Sequence, residues 1–173
     1  MLIKTARTSL RPWRQADRPA FAAMNADPEV MKDLNGPLSR SQSDDKMGRY
    51  SAAFEKYGFC RWAVDDLAGN FIGYVGVMPI PAHFPVAPGF DLGWRLVRSA
   101  WGQGLASEAA AAALKDVFAR SEVAEVLSYA APDNLRSQAV MRRLNLRRDR
   151  NRDFAVEVDG LPWSGLVWVA DRR

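Results

Sequence analysis

Arg98-Ser99-Ala100-Trp101-Gly102-Gln103-Gly104-Leu105-Ala106-Ser107-Glu108-Ala109 is the most informative stretch of this chain. It follows an apolar, strand-like run over residues 90–97 and leads into an alanine-rich, helix-like run over residues 109–120. Two glycines and a small residue occupy alternate positions of the turn between them. Glycine lets the backbone approach a ligand closely and reach conformations barred to other residues. A helix beginning there directs unpaired N–H groups, and about half a positive charge of dipole, into the turn. The stretch therefore reads as a site for a phosphate or pyrophosphate.

The flanking sequence reads as one sheet with helices. Upstream, residues 10–13 read as an edge strand, and Asp17 can cap a helix with Pro19 in its first turn and Phe21 and Met24 on one face. Asp27-Pro28 restarts a helix with Val30, Met31 and Leu34 inward, and Gly36-Pro37 breaks it. Ser39 with Gln42 resembles a capping box. Behind it Met47, Tyr50, Phe54 and Tyr57 recur at helical spacing until Gly58. Residues 60–65 and 71–78 are strand-like and joined by Leu67-Ala68-Gly69-Asn70, a hairpin signal. Pro79, Pro81, Pro85 and Pro88 keep the next segment out of a sheet interior. Downstream come a strand over 123–130, a helix over 134–144 with Leu135, Val140, Met141 and Leu144 apolar, and an antiparallel pair, 154–158 and 166–170, around Asp159-Gly160. This order predicts a mixed α/β architecture on a single sheet, with one domain over residues 1–173.

Composition narrows the function classes. Hydrophobic residues are 48% and charged residues 25% of the chain, the balance of a soluble globular protein. No apolar run approaches the roughly 20 residues that span a bilayer, and the N-terminus lacks the apolar centre of a secretory signal, so a cytoplasmic protein is expected. A single cysteine, Cys60, permits no intrachain disulfide and reads as a buried structural thiol. One Cys and one His also argue against a zinc site, and no metal is expected. The net charge of +4 suits an anionic ligand without demanding nucleic acid. Arg136, Arg142, Arg143, Arg147, Arg148, Arg150 and Arg152 crowd one segment, either as a solvated surface or with one or two contacting phosphate. A nucleic-acid groove would interleave aromatics with these arginines, and only Phe154 is near, so nucleic acid is not expected.

Three glycine loops compete for the central turn. A P-loop needs a lysine after its second glycine, and none is present. A dinucleotide fingerprint needs Gly-x-Gly-x-x-Gly early in a βαβ unit, whereas here the unit is central and antiparallel strands precede it. The third is the coenzyme A loop of acetyltransferases, and at this point the chain resembles the GNAT superfamily, more narrowly its RimJ/RimL branch. Trp101 to Ala109 matches the branch's form of the loop, and Pro132-Asp133-Asn134-Leu135-Arg136-Ser137 matches its second mark. Leu10-Arg11-Pro12-Trp13 and Asp27-Pro28-Glu29-Val30-Met31 are two more, in the same order along the chain.

The resemblance implies a GNAT fold: a single central, mostly antiparallel sheet with one parallel splayed strand pair and flanking helices. It implies acetyl-CoA as acyl donor, with Leu96, Val97 and Arg98 pairing with the pantetheine arm beside a strand that splays around residues 129–131. The backbone N–H groups of the loop, from Gln103, Gly104, Leu105, Ala106 and Ser107, would hold the pyrophosphate. Asn134 would bond the pantetheine, or cap its helix, or both. Many members place a tyrosine seven residues after this asparagine to protonate the departing thiolate, but Met141 stands there. Ser137 is then the candidate acid, with a passive polar residue as the alternative, and Tyr129 is a reserve that also reads as a core aromatic. Asp91 is the candidate base, if it faces the acceptor cleft rather than forming a solvated strand end beside Arg95. Glu108 reads as favouring the helix dipole.

Some relatives carry His-Pro after the Asp-Phe that appears here as Asp153-Phe154, but Ala155-Val156 follows, and Asn145 replaces the usual helix-ending glycine. His83, in the proline-rich loop, is either a surface residue or a substrate contact. The expected reaction is acetyl transfer to a primary amine, a small molecule or a protein N-terminus, by a monomer or homodimer. A cleft lined by acidic groups would favour a cationic acceptor. The rival readings are a non-catalytic acyl-CoA sensor and a nucleic-acid or ribosome-associated module that uses the arginine cluster.

Overall fold

The computed structural model describes every residue except Asn35, Asp159 and Arg173. Its elements run β1 (Ile3–Lys4), β2 (Thr8–Arg11), α1 (Arg18–Ala26), α2 (Pro28–Met31), α3 (Arg40–Tyr57), β3 (Arg61–Asp66), β4 (Phe71–Pro79), β5 (Phe90–Leu96), α4 (Leu105–Arg120), β6 (Glu125–Ala130), α5 (Leu135–Arg143), β7 (Arg147–Arg148), β8 (Phe154–Val158) and β9 (Leu161–Asp171). The sheet order is β1-β2-β3-β4-β5-β6-β9-β7, with β8 paired to β9. Every neighbouring pair is antiparallel except β5–β6, which is parallel. The single mixed sheet of the sequence reading is thus the observed one.

The parallel pair is joined only near its base. Asp91 opposes Leu127, and the Ser128 hydroxyl donates to the Leu92 carbonyl at 2.9 Å. Beyond these contacts no further β5–β6 pairing is made among the described residues, while β5 stays paired with β4 as far as Leu96 and β6 with β9 as far as Ala130.

Strand alternation sorts side chains between the two faces. Val75, Val77, Leu92 and Leu96 join Trp62 and Val64 against Ala109, Ala113 and Val117 of α4. Alanine at 109 and 113 lets the helix backbone lie close to the sheet. On the opposite face Tyr74 packs with Phe21, Met24, Val30, Met31, Met47 and Tyr50 from α1, α2 and α3.

Local signals translate directly. Ser39 and Gln42 form the reciprocal capping box, and Gly58 ends α3 at φ +75°. Asn145 takes φ +56°, so the turn after α5 survives without glycine. The hairpin pairing β8 with β9 forms; Asp159, part of its expected turn, lies outside the described residues. Cys60 is buried, and burial pushes its thiol up to about 12.

Four expectations change. Asp17 does not cap α1 with its side chain; its carboxylate takes Arg11 at 2.7 and 2.8 Å and the Arg14 N–H at 2.8 Å. Leu34 is 40% exposed at the rim of a cavity rather than buried in the core, because α2 ends at Met31 and the helical period stops there; Leu135 is also exposed. The helix after the glycine turn starts at Leu105 rather than 109, one turn earlier, because Gly104 at φ +78° serves as its N-cap. The strand expected over 10–13 runs Thr8–Arg11 and has β1 outside it.

Candidate active site

The glycine turn is built to leave its N–H groups available. Gly102 and Gly104 adopt φ +75° and +78°, a left-handed region that suits glycine. No side chain caps α4, so the first-turn N–H groups of Leu105, Ala106 and Ser107 point into a cavity of about 310 Å³ that these residues line. The Ser107 hydroxyl is buried there without a partner. An orphaned buried donor beside uncapped amides fits a phosphate oxygen, so the residues present suit the pyrophosphate of coenzyme A.

The turn is braced from both sides. Trp101 Nε1 donates to the Leu96 carbonyl at 2.8 Å, and the Arg136 guanidinium lies 4.0 Å from the centre of the Trp101 ring. Glu108 does more than complement the dipole. It accepts from the Thr5 hydroxyl at 2.6 Å and from the Arg7 N–H and Nε at 2.7 Å, while Arg7 Nη1 donates to the Gln103 carbonyl at 2.8 Å. The β1–β2 turn thereby clasps the glycine turn. Against partial burial, the hydrogen bonds from Thr5 and Arg7 hold Glu108 below the ordinary 4.5. Between the depressed folded value and 4.5 the unfolded chain binds more protons, so this stabilisation is complete above 4.5 and disappears as pH falls through the folded value. Glu108→Gln should flatten that part of the acid-stability curve in a pH series of melts and weaken coenzyme A binding a few-fold by calorimetry. A superimposable acid limb would remove Glu108 from the clasp.

Of the residues expected at the coenzyme, Leu96, Gly104, Leu105, Ala106, Ser107 and Asn134 line this cavity. Val97, Arg98 and Gln103 do not. The Val97 N–H is spent on the Ile72 carbonyl at 2.9 Å; the Arg98 side chain pairs with Asp27 at 2.8 Å and the Gln103 side chain turns back to the Ser99 carbonyl, side-chain contacts that do not involve the backbone groups expected at the coenzyme. Asn134 caps α5 by accepting the Ser137 N–H at 3.0 Å and also donates to Asp33 at 3.1 Å. The arginine cluster divides. Arg136 and Arg143 line the cavity, whereas Arg147, Arg148 and Arg152 are tied to carboxylates of their own region.

A second cavity, about 520 Å³, opens on the α1–α3 side of the sheet. Asp33, Trp94, Arg95 and Ser137 line both cavities and mark where they meet. Asp91 lines the second cavity, so it is no solvated strand end. It is buried and paired with Arg61 at 2.5 Å. Arg61 stands opposite Gly76, and Gly76 opposite Gly93, so the guanidinium crosses a neighbouring strand to reach Asp91, bonding the Gly76 and Asp91 carbonyls on the way. A Cβ on Gly93 would lie 2.7 Å from Arg61 Nη2, which is why that position is glycine. Burial raises the Asp91 carboxyl and Arg61 pulls against it.

Tyr129 also lines the second cavity, with its ring edge-on to Phe84, Phe154 and Trp163. Burial, with the Asp91 charge, holds its phenol in the protonated form. His83 is exposed and outside the lining, although its neighbour Phe84 is part of it. Met141 is buried against Ala130 and Trp168. Arg61, Lys46 and Tyr74 were not legible as site residues, because strand register and the packing of α3 over the sheet bring them together. No cluster of three or more metal-ligating side chains occurs among the described residues, and no helix is long and apolar enough to cross a membrane.

The family model for the acetyltransferase (GNAT) domain matches residues 7–147, along the same loop, splay and helices. The chain belongs to the GNAT acetyltransferase family. An uncharacterized protein of Bacillus subtilis, YkkB, is 26% identical over 161 residues, 89% of this chain and 92% of that one. An FsC-acetyl coenzyme A-N(2)-transacetylase of Aspergillus fumigatus is 30% identical over 148 residues, 80% of this chain; the match spans 62% of that longer protein. Among solved structures, an acetyltransferase from Agrobacterium tumefaciens superposes with a TM-score of 0.82 at 28% identity, covering 98% of this GNAT chain and 94% of its own.

Proposed function

We propose that this GNAT protein transfers an acetyl group from acetyl-CoA to a primary amine by direct attack in a ternary complex. The observation that carries this reading is the junction of the two cavities at Asp33, Trp94, Arg95 and Ser137. The uncapped N-terminus of α4 holds the pyrophosphate and aims the donor along the splayed edge of β5. Bound acetyl-CoA supplies the activated acetyl carbon. The chain orients the amine, excludes water with the aromatic wall around Tyr129, and handles two protons.

Ser137 is the candidate donor of one of them. Its N–H is fixed by the Asn134 cap, and its side chain lies at the junction, where the leaving sulfur would take a proton. Asp91, in the acceptor cleft, is the candidate recipient of the amine's proton, and Tyr129 is a reserve donor. Ser137→Ala should lower kcat by roughly 100-fold or more and leave the affinity for acetyl-CoA within about twofold, in a thiol-release assay paired with calorimetry. Equal rates would remove Ser137 from the chemistry.

The four RimJ/RimL-type motifs support placing the chain in that branch. The buried Met141, where a tyrosine acid is common in the family, favours one alternative: an acyl-CoA sensor without turnover. Tight acetyl-CoA binding with no thiol release across amines and peptides would select that alternative.

A further inference from the structure

The acceptor cleft is electrically lopsided. Lys46, Arg49, Arg61 and Arg95 line it, against two carboxylates, Asp33 and Asp91. Both carboxylates are engaged: Asp91 by Arg61 at 2.5 Å, and Asp33 by the Asn134 amide at 3.1 Å. Lys46, Arg49 and Arg95 form no ion pair among the described residues. Arg95 donates only to neutral groups, the Val30 carbonyl at 2.6 Å and the Met31 sulfur at 3.2 Å, and its Nε is buried with no partner. A guanidinium does not discharge, so this site holds a cation with no carboxylate partner among the described residues.

Tyr74 senses the resulting potential. Burial opposes ionisation of its phenol, yet Lys46, Arg95 and Arg61, with a hydrogen bond from Tyr50, bring it down to about 7. The Lys46 ammonium stands 5.6 Å from the centre of that ring. Arg95 also lines the coenzyme cavity, so the unbalanced charge lies beside the point where the amine reacts. Across the cleft, Phe84, Tyr129 and Trp163 form an aromatic wall with ring centres 5.7–6.4 Å apart. This lining is the opposite of one suited to polyamines.

We infer that the acceptor is an amine with an anionic group next to the amine nitrogen, an α-amino carboxylate bearing an apolar side chain. Arg95, Lys46 and Arg49 hold the carboxylate, and the side chain lies against Phe84, Tyr129 and Trp163. This rests on the acetyl-transfer reading above. The nitrogen bonds the acetyl carbon as the carbon–sulfur bond breaks. The nitrogen gives up one proton, and the departing sulfur receives one.

The test compares L-phenylalanine and L-leucine with their amides, 2-phenylethylamine, spermidine and tripeptides with free N-termini, by thiol release from acetyl-CoA. The free amino acids should exceed the amides and 2-phenylethylamine in kcat/KM by on the order of tenfold or more, since each charge-assisted hydrogen bond is worth about that factor. Lys46→Gln and Arg49→Gln should each shrink that ratio, mainly through KM. Amides, spermidine or tripeptides used as well as or better than free amino acids would overturn the inference, as would an unchanged ratio in both variants. If no amine is acetylated, the transfer reading fails on its own. Calorimetry with N-acetyl-L-phenylalanine and its amide, each with coenzyme A present, then decides the inference. Tighter binding of the carboxylate upholds it, and equal binding ends it.

Discussion

Gly104→Val is expected to lower affinity for acetyl-CoA by at least about a hundredfold while the protein still melts cooperatively. The backbone at 104 holds φ +78°, and a valine there is strained by about 1–3 kcal/mol. Inside the protein the new Cβ meets nothing closer than Arg7 Nη2 at 3.6 Å, ordinary contact, so the fold has room for it. A phosphate drawn to the N–H groups of Leu105, Ala106 and Ser107 does not. Losing two charge-assisted bonds of about 1.5–3 kcal/mol each corresponds to a factor of roughly 10² to 10⁴. Gly69→Val separates strain from exclusion. Gly69 has φ +83° with nothing within 4 Å of a Cβ, and it lies in the β3–β4 hairpin, outside both cavities. It should lose comparable stability and keep coenzyme affinity. Parallel loss of affinity in both variants would show that strain, not phosphate exclusion, governs binding.

The contrast between this loop and the acceptor cleft shows what kind of information a sequence carries. The glycine turn, the Ser39–Gln42 box, the Gly58 stop and the Asn145 turn each depend on residues within a few positions of one another. Their physics is local, and they are readable as strings. The Arg61–Asp91 pair spans 30 residues and exists because Arg61, Gly76 and Gly93 fall in one row across three strands. A one-residue slip of register would put Arg61 on the other face. Nothing near residue 61 in the string announces this, although Gly93, with Arg61 in the place of its missing side chain, is its trace. The charge of the cleft is equally non-local: Lys46 and Arg49 arrive on α3, Arg61 on β3 and Arg95 on β5. Hence the donor is legible from the sequence, and the acceptor is legible only from the assembled sheet.

Arg11→Leu should be the most destabilising single change among these. The Arg11 guanidinium is buried between Asp17 and Asp65, donating to the first at 2.7 and 2.8 Å and to the second at 2.5 and 2.8 Å. All three side chains are less than a tenth exposed. Leucine fills much of the volume but strands two carboxylates away from water, a change that costs about 3–5 kcal/mol. For a chain of this length that corresponds to a melting point lower by roughly 6–20 °C. Adding Asp17→Asn and Asp65→Asn to Arg11→Leu should recover a large part of the loss, because the penalty lies in the uncompensated charge rather than in a missing contact. No recovery would mean that packing of the arginine stem carries the effect. The consequence reaches the site through Trp13, two residues on. Its Nε1 donates to the Arg61 carbonyl at 2.6 Å while its ring packs on Phe21 and Tyr50. The Leu10–Trp13 motif therefore anchors the start of β3, and with it the arginine that holds Asp91. At temperatures where Arg11→Leu remains folded, its KM for the acceptor should rise while coenzyme affinity holds, because the glycine turn is clasped independently by Arg7 and Glu108.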